Sequence, residues 1–146
     1  MSDIKNQFTE EQKQRIVDAV KEAEHNTSGE IRVHIEKKCK ADVMDRAAYI
    51  FEKLEMHKTE LRNGVLFYVA VQDKKFAILG DAGINAKVPE KFWDKIKENM
   101  INLLKEGKVV QSLAEGILMA GKQLKEHFPY QKDDVNELPD EISFGK

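Results

Sequence analysis

Residues 30–36 alternate along the chain: Ile31, Val33 and Ile35 are apolar, while Glu30, Arg32, His34 and Glu36 are polar or charged. A period of two sends successive side chains to opposite faces, so the stretch predicts a half-buried strand with one polar face. Upstream, Ile16, Val17, Val20 and Ala23 recur at helical spacing. Thr9, followed three residues later by Gln12, forms the capping box that would start that helix, and the turn formers at 25–29 would end it. Asp42 can cap a second helix in which Val43, Ala47, Ile50, Phe51 and Leu54 make one stripe. Residues 65–71 are apolar throughout and rich in β-branched and aromatic types, as in a central strand covered on both faces. Gln72, Asp73 and Lys74 form a short polar turn, and residues 75–79 are expected to return as the second strand of a hairpin.

A loop containing Gly80 and Gly83 follows, and Pro89 suits the first turn of a helix lined by Phe92, Trp93, Ile96, Met100, Leu103 and Leu104. Gly107 fits the position just past that helix's end. A last helix would bury Val109, Val110, Leu113, Ile117, Leu124 and Phe128, with Pro129 stopping it. The predicted order is α, β, α, β, β, α, α. It points to the α/β class, a three-layer α/β/α sandwich with a small mixed β-sheet. Its strand-helix-strand unit over residues 30–71 should be parallel and right-handed. Residues 1–130 form the expected domain, and residues 131–146 an acidic C-terminal tail.

Composition narrows the function classes. The 146 residues carry 24 basic and 26 acidic side chains, a net charge of −2, with 41% hydrophobic and 34% charged residues. One globular domain with its own core is expected. The near balance of charge gives no reason to expect nucleic acid as a partner. No apolar run approaches the roughly 20 residues of a membrane span, and the polar start lacks a secretory signal, so a cytosolic monomer is expected. Cys39 stands alone, which excludes an internal disulfide and a Cys-rich zinc site. His25, His34, His57 and His127 show no metal-ligand spacing, and no Gly-x-Ser-x-Gly elbow occurs.

Candidate chemistry gathers in the loop after the hairpin. Asp81, Asn85 and Glu90 supply the oxygen donors that Ca²⁺ or Mg²⁺ prefers. The alternative is a plain turn in which Gly80 and Gly83 supply positive φ and Asp81 caps the chain. A bare phosphate suits the loop poorly, because Asp81 and Glu90 would repel it. Glu30 begins a strand and can join Asp81 if the two strands run antiparallel. The turn Arg62-Asn63-Gly64 is expected beside Glu30, since parallel strands begin at one sheet edge. In the tail, Asp133, Asp134, Glu137, Asp140 and Glu141 are interspersed with Val135, Leu138, Ile142 and Phe144. That mixture favours docking along the domain or onto a protein partner over metal binding.

Three segments taken in order, "TSGEIRVHIE", "RNGVLFYVA" and "FAILGDAGINAKVPEKFW", resemble the TPM domain family, named for a thylakoid lumen protein, a photosystem repair protein and a worm receptor modulator. "LLKEGKVVQSLAEGI" is similar to a later segment of the same family, and the likeness spans about residues 9–128. The resemblance implies an α/β/α fold, a divalent-cation site at the loop ends of the sheet as in some members, and acid phosphatase activity as in a plant member. Family members usually carry Gly-x-Gly-Leu-Glu-x-x-Leu-x-Asp in the loop. Here the segment runs from Asp81 to Glu90, with Asn85 at the family's Glu and Glu90 at its Asp. The expectation is a cytosolic TPM-type binding or assembly module that holds Ca²⁺ or Mg²⁺ through Asp81, Asn85, Glu90 and Glu30. The alternative is a metal-assisted phosphomonoester hydrolase with the cation at Asp81.

Overall fold

In the computed structural model, which describes residues 4–130 and 137–145, helix α1 (Glu10–Asn26) leads into strand β1 (Glu30–Glu36). Helix α2 (Val43–Lys53) crosses over to β2 (Gly64–Ala70), and a hairpin leads on to β3 (Lys75–Gly80). Helices α3 (Ala82–Lys87), α4 (Asp94–Lys105) and α5 (Val109–Leu124) follow, and the chain returns to the sheet as β4 (Ser143–Phe144). The sheet order is β3-β2-β1-β4. Strand β1 runs parallel to β2 and β4, and β2 runs antiparallel to β3, so the sheet is mixed as expected.

Local chemistry sets the helix ends. The Thr9 hydroxyl accepts from the Gln12 N–H at 3.0 Å, and the Gln12 side chain accepts from the Thr9 N–H at 2.8 Å. That is the reciprocal capping box. Asp42 accepts from the N–H groups of Met44 and Asp45 at the start of α2. Past α4, Gly107 takes φ +79, and the Lys108 N–H reaches back to the Leu103 carbonyl at 2.9 Å. This closes the helix in the manner that a left-handed glycine permits.

The sheet is covered on both faces. Ile31, Val33 and Ile35 of β1, with Val65, Phe67 and Val69 of β2, pack in one cluster with α1, α4 and α5. Leu66, Tyr68 and Ala70 pack on the other side with Ala47, Ile50 and Phe51 of α2. The whole of β2 is buried, as a central strand should be. No helix among the described residues is long and apolar enough to cross a membrane.

Four expectations are corrected. The polar face of β1 is not half-exposed: Glu30, His34 and Glu36 are buried, because α2 and the C-terminal segment cover that face. The stretch after β3 is not an open loop. Asp81 caps the extra helix α3, accepting from the Ala82 N–H at 2.8 Å, and α4 begins only at Asp94. Pro89, which has no N–H to continue a helix, instead offers its carbonyl to the Phe92 N–H across a turn. Gly80 and Gly83 do not take positive φ. Gly83 serves close approach: its N–H bonds the Arg62 carbonyl at 2.9 Å, where a Cβ would collide. Finally, α5 ends at Leu124, although Phe128 remains buried just beyond it.

Candidate functional site

Topology brings several of the expected residues to one sheet edge. Because β1 and β2 run parallel and β3 runs back, the starts of β1 and β2 and the end of β3 coincide. The Asp81 N–H bonds the Gly64 carbonyl at 2.9 Å, and the Glu30 N–H bonds the Asn63 carbonyl at 3.0 Å. Asn63 is itself fixed by its side-chain bond to the Ser28 carbonyl at 2.7 Å. The Arg62-Asn63-Gly64 turn thus lies beside Glu30 and connects it to Asp81.

Asp81 is 6% exposed. Its carboxylate accepts from Arg62 through Nε and Nη2, both at 2.7 Å, and from the Ala82 N–H. Burial alone would raise its pKa, but the Arg62 guanidinium and the Ala82 N–H outweigh it and hold the carboxyl below its usual range. Arg62 sits in the left-handed region at φ +52, with half of its side chain exposed. A two-pronged guanidinium–carboxylate pair is strong and directional. A cavity of about 320 Å³ opens beside the pair, lined by Phe51, Glu52, His57, Arg62, Leu79 and Asp81 among others. That volume is at the small end for ligand sites.

The other expected donors do not converge on Asp81. Asn85 lies one helical turn on, and its amide nitrogen donates to the Gly80 carbonyl at 2.9 Å. Glu90 is exposed in the turn before α4. Glu30, 5% exposed, directs one oxygen to the N–H groups of Glu137 and Leu138 instead. Among the described residues no group of three His, Cys, Asp or Glu side chains is placed to hold a metal. Both oxygens of the Asp81 carboxylate are taken by the guanidinium of Arg62. The tail carboxylates Asp133 and Asp134 lie outside the described residues.

A second polar network escaped the sequence reading. At the far end of the same β1 face, Glu36 is clasped by Arg46 of α2 at 2.8 and 2.9 Å and accepts from the Tyr68 hydroxyl. His34 bridges Glu36 at 3.3 Å and Ser143 at 2.8 Å, with its ring stacked on Tyr68. Burial would raise the Glu36 pKa, yet the bonds from Arg46, Tyr68 and His34 bring it down to about 2. Burial lowers the pKa of His34. The available signal was Tyr68 inside an otherwise apolar strand, since a buried phenol needs a polar partner.

Fold and site together define a small α/β/α sandwich domain with a charged cleft at one edge of its sheet. The chain belongs to the TPM domain family, whose model matches residues 1–123. Its structure is similar to the NMR structure of BA42 protein from the psychrophilic bacterium Bizionia argentinensis, at a TM-score of 0.91 and 50% identity, covering 99% of this chain and 100% of that one. The N-terminal domain of a P. gingivalis protein shares the fold at a TM-score of 0.68 and 16% identity, over 85% of this chain and 82% of that one. The N-terminal domain of cg2496 protein from Corynebacterium glutamicum does so at 0.66 and 11%, over 96% and 82%. No curated protein matches the sequence significantly.

Proposed function

We propose that this protein is a cytosolic TPM-type binding module whose working site is the sheet edge at Asp81, where a divalent cation competes with Arg62 for the carboxylate. One observation carries the reading: a nearly buried carboxylate is kept ionised at a cavity mouth by a half-exposed arginine. A side chain so exposed can leave without opening the core, whereas Asp81 is fixed as the cap of α3. Ca²⁺ and Mg²⁺ both favour such carboxylate oxygens, with backbone carbonyls and waters completing the shell. The test is a Ca²⁺ and Mg²⁺ titration of ¹⁵N-labelled protein. Saturable shifts at residues 80–90 are expected, with affinity about tenfold higher in Arg62→Gln, on the order of 1.4 kcal/mol, and lost in Asp81→Asn. Flat responses in both the wild type and Arg62→Gln would overturn the cation reading.

A phosphomonoester hydrolase reading draws on the same cavity, where Arg62 and His57 stand beside Asp81. Guanidinium groups suit phosphate oxygens. It predicts turnover of p-nitrophenyl phosphate that falls in Asp81→Asn. Turnover that survives the substitution would place the chemistry elsewhere.

A further inference from the structure

Residues 137–145 run back along the polar face and outer edge of β1, meeting it side chain by side chain. Glu30 accepts from the N–H groups of Glu137 and Leu138, at 2.6 and 3.4 Å. Arg32 feels the charge of Glu141, and His34 bonds Ser143 at 2.8 Å. The Gly145 N–H bonds the Ile35 carbonyl at 2.8 Å, and the Gly145 Cα presses so closely on Glu36 that a Cβ would fall 2.4 Å from Oε1. Leu138 enters the cluster beneath α2, while Ile142 and Phe144 pack on the opposite one.

The fit is incomplete. Backbone groups of Ile31, Val33 and Ile35 face this edge; Glu24 holds the Ile31 N–H at 3.2 Å and Gly145 the Ile35 carbonyl, while β4 pairs with only His34 and Ile35. Among the described residues, Glu30 Oε2 and Arg32 Nε are buried with no hydrogen-bond partner. Leaving such groups unpaired is costly, and a strand that supplied a donor opposite one and an acceptor opposite the other would recover that cost. The oppositely charged pair, two residues apart on one strand face, also defines the charge pattern of such a strand.

We propose that the outer edge of β1 is a docking site for an extended segment of a partner protein, and that residues 137–145 are its intramolecular occupant. The partner segment adds to the sheet as a parallel strand, its backbone bonding the β1 edge and its side chains meeting alternate β1 residues. It places a carboxylate opposite Arg32 and a donor opposite Glu30. The proposal supplies a partner class for the binding-module reading and does not depend on a cation at Asp81.

The test loosens the occupant in the 146-residue chain. Gly145→Ala forces a methyl group against Glu36 and should release the end of the tail, and Phe144→Ala removes an apolar anchor by an independent route. The probe is a peptide of sequence ELPDEISFGK, residues 137–146, followed by ¹⁵N shifts. Saturable shifts at residues 30–36, with apparent affinity at least about tenfold tighter in both variants than in the wild type, are expected because the bound tail reduces the competent fraction. A peptide with Gln in place of Glu141 should bind more weakly. No saturable binding to either variant, or equal affinity for variant and wild type, would overturn the proposal. Self-association of the variants in sedimentation velocity would also overturn it, by making a second copy the occupant. Shifts at residues 80–90 on Ca²⁺ addition report on the cation site separately.

Discussion

A methyl group at position 83 would lie 2.2 Å from the Leu61 carbonyl oxygen and 2.6 Å from that of Arg62. Backbone atoms cannot step aside as a flexible side chain can, so Gly83→Ala must push α3 away from the turn that carries Arg62. Overpacking of this kind costs about 2 kcal/mol, measurable as a lower urea midpoint. The Arg62–Asp81 pair should also loosen, so that the Asp81 carboxyl titrates at higher pH by NMR. An unchanged midpoint would mean that the turn tolerates the methyl group. The same position shows why single residues mislead when read alone. Glycine in a loop suggests an unusual backbone angle, whereas here it keeps two chain segments within hydrogen-bonding distance.

At the scale of elements, the clasp of Arg46 and Tyr68 on Glu36 ties α2, β1 and β2 together across one end of the sheet. The Glu36 pKa falls from 4.5 to about 2 on folding. A depressed acid stabilises the fold at pH values above its unfolded pKa, and that contribution disappears as pH falls through the folded value. Stability should therefore decline between about pH 4.5 and 2, and less steeply in Tyr68→Phe, which removes one donor. The substitution itself should cost about 1 to 3 kcal/mol at neutral pH, since a buried acceptor loses a partner. Urea unfolding of wild type and variant across that range checks both statements. An identical pH slope would show that the phenol does not support the carboxylate.

For the whole molecule, the C-terminal segment meets a cluster of acids. Burial, followed by the neighbouring Asp140, raises the Glu24 pKa from 4.5 to about 9. Burial raises Glu30 to about 7, with Glu137 adding to the rise while the Glu137 and Leu138 N–H groups oppose it. A raised acid stabilises the docked state fully below about pH 4.5, and the contribution is lost as pH climbs through these values. Arg32 feels the opposing charge of Glu141 in the same segment. Amide exchange at residues 137–145, corrected for its intrinsic pH dependence, should accelerate from pH 5 to pH 9 relative to residues 65–70 of the central strand. Equal protection at both ends of that range would separate docking from these carboxyls.

Local rules were enough to set much of this molecule from its sequence. The N-caps and stripes of α1 and α2, the apolar run of β2, the hairpin and the glycine that ends α4 each depend on residues a few positions apart. The mixed sandwich followed from their order, whereas the shared edge of Glu30 and Asp81 was conditional on strand directions that the sheet supplies. What the sequence left open was decided by contacts between distant segments. An alternating strand with a polar face describes β1 whether that face meets water or meets α2 and a returning tail 109 residues away, as His34 meets Ser143. Likewise Asp81 offers a cation two oxygens on paper, and only the left-handed turn at Arg62 shows which cation holds them now. Periodicity records which side chains share a surface, but burial and pairing depend on what the rest of the chain places against it.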